Sequence, residues 1–108
     1  MEKEARAVYQ AISAAQKEQR PCALATVVAT KGSTPRKNGA MMLVDPSEGL
    51  VGTVGGGCGE AEVIAAAQAA ISSGVPQMVT VNLTDDPLSW SGSVCGGMLN
   101  VFVEPILP

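Results

Sequence analysis

Val51-Gly52-Thr53-Val54-Gly55-Gly56-Gly57-Cys58-Gly59-Glu60-Ala61-Glu62 changes character twice in twelve residues. Valines suited to a strand run into three glycines and a cysteine, and a helical pattern then begins. Glycine has no Cβ, so this backbone can take positive φ and approach a ligand closely. A helix starting at about Cys58 turns its free N–H groups and its positive dipole end toward the loop. That is the arrangement of an anion site, and the same dipole would lower the pKa of a thiol at Cys58. A plainer reading also fits: a tight strand-to-helix turn with Cys58 as a small buried residue. No Gly-Lys-Ser/Thr follows, and the Gly-x-Gly-x-x-Gly spacing with its acidic partner is absent. Neither a Walker loop nor a Rossmann-type dinucleotide site is therefore expected.

Downstream, residues 60–73 read as a helix with Ile64, Ala67, Ala70 and Ile71 as its apolar stripe and Gly74 as its stop. Glu60 and Glu62 fall in its first turn, where acids complement the dipole. Glu60 is the nearer to the glycines and could also bond a ligand. Upstream, residues 50–54 form a strand. The turn Asp45-Pro46-Ser47-Glu48-Gly49 joins it to a strand at 40–44, in an antiparallel hairpin.

Residues 22–29 are almost continuously apolar, as in a central strand covered on both faces. Cys22 reads there as a small buried hydrophobe. Residues 3–19 form an amphipathic helix, with Ala5, Val8, Ile12 and Ala15 at helical spacing, ended by Pro21. Residues 76–83 and 98–104 supply two more strands, with Pro105 and Pro108 ending the pattern. The fold class expected is α/β, or α+β, with a small mixed sheet of about five strands and two main helices.

Two further loops carry chemistry. Thr30-Lys31-Gly32-Ser33-Thr34-Pro35-Arg36-Lys37 gathers three of the seven basic side chains on a chain of formal charge −3. Hydroxyls beside Lys31 and Arg36 suit a phosphate or carboxylate. Residues 85–97 are rich in glycine and serine, contain Trp90, and end in Cys95-Gly96-Gly97.

Composition narrows the function. At 108 residues one domain is expected, residues 1–108. With 46% hydrophobic but 3% aromatic residues, its core must be built from Ala, Val, Leu, Ile and Met. A pI near 4.7 argues against nucleic acid as partner. No membrane segment or targeting signal is read, so a cytoplasmic protein is expected. Three cysteines without C-x-x-C spacing do not suggest a disulfide framework. The absence of histidine rules out Ser-His-Asp and Cys-His catalysis and makes a zinc site improbable.

Taken together, the loops resemble the N-terminal domain of the XdhC/CoxI family, accessory factors of xanthine dehydrogenase and related molybdenum hydroxylases. The matching segments are residues 25–36, the run Gly52-Thr53-Val54-Gly55-Gly56-Gly57-Cys58 with Glu60, and Cys95-Gly96-Gly97 followed by Val101-Phe102-Val103-Glu104-Pro105. The resemblance implies a small domain that binds molybdenum cofactor, as molybdopterin or its dinucleotide form, and passes it to an apo molybdenum hydroxylase. It places the cofactor at Gly55, Gly56, Gly57 and Cys58. Cys95 with Gly96 is a second candidate, and Ser33, Arg36 and Lys31 come from the first loop. Longer members carry a C-terminal Rossmann domain, which is not expected within residues 1–108.

Such a cofactor suits the residues. A helix N-terminus with Lys31 or Arg36 can hold its phosphate, and a Cys58 thiolate could contact molybdenum or carry a persulfide. Two other functions compete with this cofactor chaperone. One is a thiol-dependent sulfur-transfer or redox enzyme acting through Cys58 or Cys95. The other is a structural or regulatory module that pairs with a separate Rossmann subunit. Homo-oligomerisation is expected, since a domain this small has a strand edge to cover.

Overall fold

The computed structural model describes residues 2–32, 38–54, 59–82 and 97–108. They form helix α1 (Glu2–Lys17), strands β1 (Cys22–Lys31), β2 (Met41–Asp45) and β3 (Gly49–Gly52), helix α2 (Glu60–Ser73), and strands β4 (Gln77–Asn82) and β5 (Met98–Ile106). The strands make one sheet in the order β3-β2-β1-β5-β4, and each of its pairings is antiparallel. Of the two expected classes the chain adopts the α+β form, with the five strands and two helices anticipated, but the sheet is antiparallel rather than mixed, because the two strands joined through α2 lie at opposite edges and do not pair. The β2–β3 hairpin is also as expected. The connection through α2 carries the chain from one sheet edge, β3, to the other, β4.

β1 is central, and its alternation feeds two cores. Ala23, Ala25 and Val27 face the cluster that contains Val63, Ala67 and Ala70 of α2. Cys22 and Leu24 face the opposite cluster, with Val8 and Ala15 of α1 and Leu43 of β2. Helix α2 packs against β5, β1 and β4, while α1 packs against β2 and β3. The first helix is thus a packing element on the sheet.

In α2 the fully buried line is Val63, Ala67 and Ala70, with Ile64 and Ile71 only partly covered. The expected stripe therefore rotates toward its smaller members. Alanines on the helix face alanines on β1, and small side chains allow the two backbones to come close. Burying Val63 there contributes about 1.5–3 kcal/mol. The helix runs over Glu60–Ser73 as predicted, closed by Gly74 at φ 73 whose N–H bonds to the Ala70 carbonyl.

Two boundaries differ from expectation. Helix α1 stops at Lys17, before Pro21 can end it. Gln19 takes a left-handed φ of 56, and the Arg20 amide reaches back to the Ala15 carbonyl at 2.8 Å. This is a Schellman closure with glutamine where glycine is usual. At the other end, Pro105 does not end the ordered pattern: it lies inside β5, opposite Ala23. β4 pairs with β5 only as far as Val103, so beyond that point β5 is paired on one side only among the described residues. A proline without an N–H is tolerated there.

Candidate functional site

Strand direction decides where the loops go. β1 and β3 run toward one end of the sheet, which β2 leaves, β4 reaches and β5 leaves. The connections 32–40, 53–59 and 83–97 therefore all arise at that same end. The opposite end carries the α1–β1 connection, the Asp45 turn, the Gly74 turn and the C-terminus. The described residues that flank all three glycine-containing loops singled out in the sequence thus lie at one end of one sheet.

That end is stepped. Val27 closes the β1–β2 hairpin, accepting from the Gly39 amide at 2.8 Å and donating to the Ala40 carbonyl at 2.9 Å. β1 then continues against β5 alone, through Ala29, Thr30 and Lys31, after a bulge between Val27 and Ala29. Val28 is the extra residue and is exposed. The β1–β5–β4 wall thus rises roughly 10 Å above the start of β2, at about 3.3 Å per residue. Lys31, Met98 and Asn82 stand in register at its rim. A small depression of about 100 Å³ beside the rim is lined by Ala29, Thr30, Lys31, Met98 and Asn100. A larger cleft of about 230 Å³, lined by Gln16, Gln19, Arg20 and Ile106, lies at the other end, away from the three loops.

Of the expected site residues, Lys31 and Glu60 are described. Ser33, Arg36, Gly55, Gly56, Gly57, Cys58, Cys95 and Gly96 lie outside the described residues, as does Trp90. Lys31 is exposed at the rim and makes no ion pair among the described residues. Helix α2 begins at Glu60, where the periodicity of residues 60–73 puts it and two residues after the start at about Cys58 read from the glycine loop, because Gly59 is left-handed at φ 71 and occupies the N-cap. A glycine cap offers no side-chain acceptor, so it satisfies none of the first-turn N–H groups.

The carboxylate of Glu60 is engaged. It accepts a hydrogen bond from the Thr53 hydroxyl, so a side chain just before the glycine run is tied to one just after it. Sequence reasoning assigned no role to Thr53. Its position beside the glycines, seven residues from an acid, was the available signal. Replacing Thr53 with Val keeps the shape and removes the donor. We expect amide exchange in the first turn of α2 to speed up roughly fivefold, the equivalent of about 1 kcal/mol. Unchanged exchange at residues 60–63 would show that the link does not hold the loop ends.

Cys22 is fully buried. Burial pushes its thiol pKa up, Asp45 adds to the rise, and Arg20 opposes it. It is the inert small hydrophobe expected. Among the described residues, no cluster of three or more His, Cys, Asp or Glu side chains could hold a metal. No helix among them is long and apolar enough to cross a membrane.

With this geometry in place, comparison with known proteins assigns the chain. Residues 15–82, more than half of its length, match the XdhC and CoxI family. The chain belongs to this family. It is 33% identical to a Bacillus halodurans protein solved by crystallography and described as a xanthine dehydrogenase, with a TM-score of 0.74 over 89% of this chain and 29% of that one. It is 33% identical over 91 residues to a Bacillus subtilis protein named as a probable xanthine dehydrogenase subunit, covering 82% of this chain and 28% of that protein. It is 37% identical over 84 residues to the uncharacterized Escherichia coli protein YqeB, covering 78% of this chain and 15% of that one. The chain thus spans less than a third of the length of each of these relatives. Two of these three relatives carry xanthine dehydrogenase in their names.

Proposed function

We propose that this chain is a molybdenum cofactor-binding accessory domain that serves the maturation of xanthine dehydrogenase-type hydroxylases. The observation that carries the reading is the shared origin of its three glycine-containing loops at one end of the sheet. The cofactor is cargo here. Its phosphate calls for cationic and N–H donors, which Lys31 and the uncapped start of α2 offer. Its pterin carries N–H groups, for which a carboxylate held like that of Glu60 is a fitting acceptor. The thiols left for sulfur or metal contact are Cys58 and Cys95, since Cys22 is buried in apolar packing. The receiving partner proposed is an apo molybdenum hydroxylase, and the second partner is a separate Rossmann-domain protein.

The test is retention of molybdenum cofactor by the purified chain. Uptake at micromolar affinity or better is expected, and Cys58→Ser should weaken retention at least tenfold, about 1.4 kcal/mol. Equal retention by both proteins would remove Cys58 as a contact. No uptake by the wild-type chain would overturn the chaperone reading. The enzyme reading requires a thiol of depressed pKa, so a pH titration of alkylation at Cys58 and Cys95 separates the two. Midpoints near the free value of about 8.5 speak for the chaperone.

A further inference from the structure

The two edges of the sheet are protected to different degrees. β3 is short, has glycine at both ends and packs under α1. β4 is six residues long, Gln77-Met78-Val79-Thr80-Val81-Asn82, and is paired only on its β5 side among the described residues. Natural edge strands are guarded by charge, proline, bulges or brevity. β4 has no charged residue, no proline and no glycine, in a chain whose net charge is −3. Its alternation sends Val79 and Val81 into the core and leaves Met78 60% exposed. Val75 and Leu107, at one end of the strip, and Met98, at the other, are exposed as well. Four of the seven exposed large hydrophobic residues among those described thus border this one strand.

We propose that the outer edge of β4 pairs antiparallel with β4 of a second copy, joining two five-stranded sheets across a twofold axis. A twofold contact sets a surface against itself, so any charge on it meets its like. An uncharged strand is self-complementary in that sense, and the net negative surface elsewhere is not. Exposed Met78 on the strand and Val75 just before it add burial that main-chain bonds alone do not supply. The arrangement closes at two copies, because among the described residues the only other sheet edges are the short β3 strands.

Sedimentation equilibrium of the 108-residue chain reads this directly. The wild-type chain is expected at about 22 kDa, twice the 11.0 kDa of one copy. The double variant Met78→Lys with Thr80→Lys places like charges directly opposite each other in the antiparallel registers centred on residues 78 to 80. It should sediment at the single-chain mass with an unchanged far-ultraviolet spectrum. Leu50→Lys, which adds the same charge beside the other edge, should leave the dimer intact. A wild-type chain that stays single at about 100 μM, a concentration at which even weak specific pairing shows, overturns the proposal. So does a dimer that survives the double variant, or one that Leu50→Lys alone dissolves.

Discussion

Gly52→Ala is expected to destabilise the fold by about 3 kcal/mol, more than the same change at Gly39, Gly49 or Gly74. Gly52 closes β3 opposite Met42, at a φ of 83. A Cβ there runs into the Met41 carbonyl oxygen and comes within 3.1 Å of Val8 Cγ2. The first obstacle is backbone, held by the β1–β2 ladder that begins at Thr26 and Met41. The second belongs to the α1 packing. Neither can yield cheaply, so a steric cost adds to the left-handed backbone cost of about 1–2 kcal/mol. For a domain of this size the melting temperature should fall by roughly 12–20 °C.

Gly39→Ala and Gly49→Ala are the controls. Both glycines have positive φ, at 93 and 100, with nothing within 4 Å of the added atom. They should lose only the backbone term, on the order of 1 kcal/mol. Urea denaturation of the three variants decides the matter. If Gly52→Ala costs no more than the two controls, the close approach of β2 and α1 at that point is not what demands glycine.

Asp45→Ala should cost about 2–3 kcal/mol, the second largest effect. Asp45 is 4% exposed, the one charged residue in the described core. One carboxylate oxygen accepts from the backbone amides of Ser47 at 2.9 Å and Glu48 at 3.2 Å. The other accepts from Arg20 at 3.2 Å, and Arg20 also pairs with Glu18. The carboxylate therefore shapes the β2–β3 turn and fastens it to the end of α1. Asp45→Asn keeps an acceptor for the two amides and loses the charge facing Arg20, so it should cost about half as much.

The pH dependence follows from the same contacts. Burial pushes the Asp45 carboxyl pKa up, but the Ser47 and Glu48 amides and the Arg20 guanidinium outweigh it and hold the pKa below its ordinary value. A lowered folded value means stability that is fully present above the unfolded pKa of about 4. That stability is lost as pH falls through the lower folded value. The gap between wild type and Asp45→Asn should thus be constant from about pH 7 to 5 and narrow below about pH 4. A gap that stays the same in acid would show that charge plays no part at this site.

Local rules carried much of the fold. The hairpin was readable because Asp-Pro-Ser-Glu-Gly sits between two apolar runs, and α2 because a helical period ends at a glycine free to turn left-handed. Where a local rule was broken by context, the reading missed. Glutamine took the left-handed place that glycine usually takes after α1, and a proline joined a strand at a point where the neighbouring strand had already ended. Asp45 read as a turn residue, which it is. Its partner Arg20 lies 25 residues away, and no local pattern announces such a pairing.

The order of residues along the chain was enough for the elements, the central place of β1 and the family likeness. Each of these rests on near neighbours: side-chain period, backbone freedom at glycine, and residue types at fixed spacing. It took the folded molecule to establish that the three loops spring from one end of the sheet, that Thr53 is tied to the first residue of α2, and that β3 and β4 are the two edges of the sheet among the described residues. Those are matters of strand order and direction. They are settled by which faces bury together, through contacts between residues far apart in sequence, and composition and spacing leave that choice open.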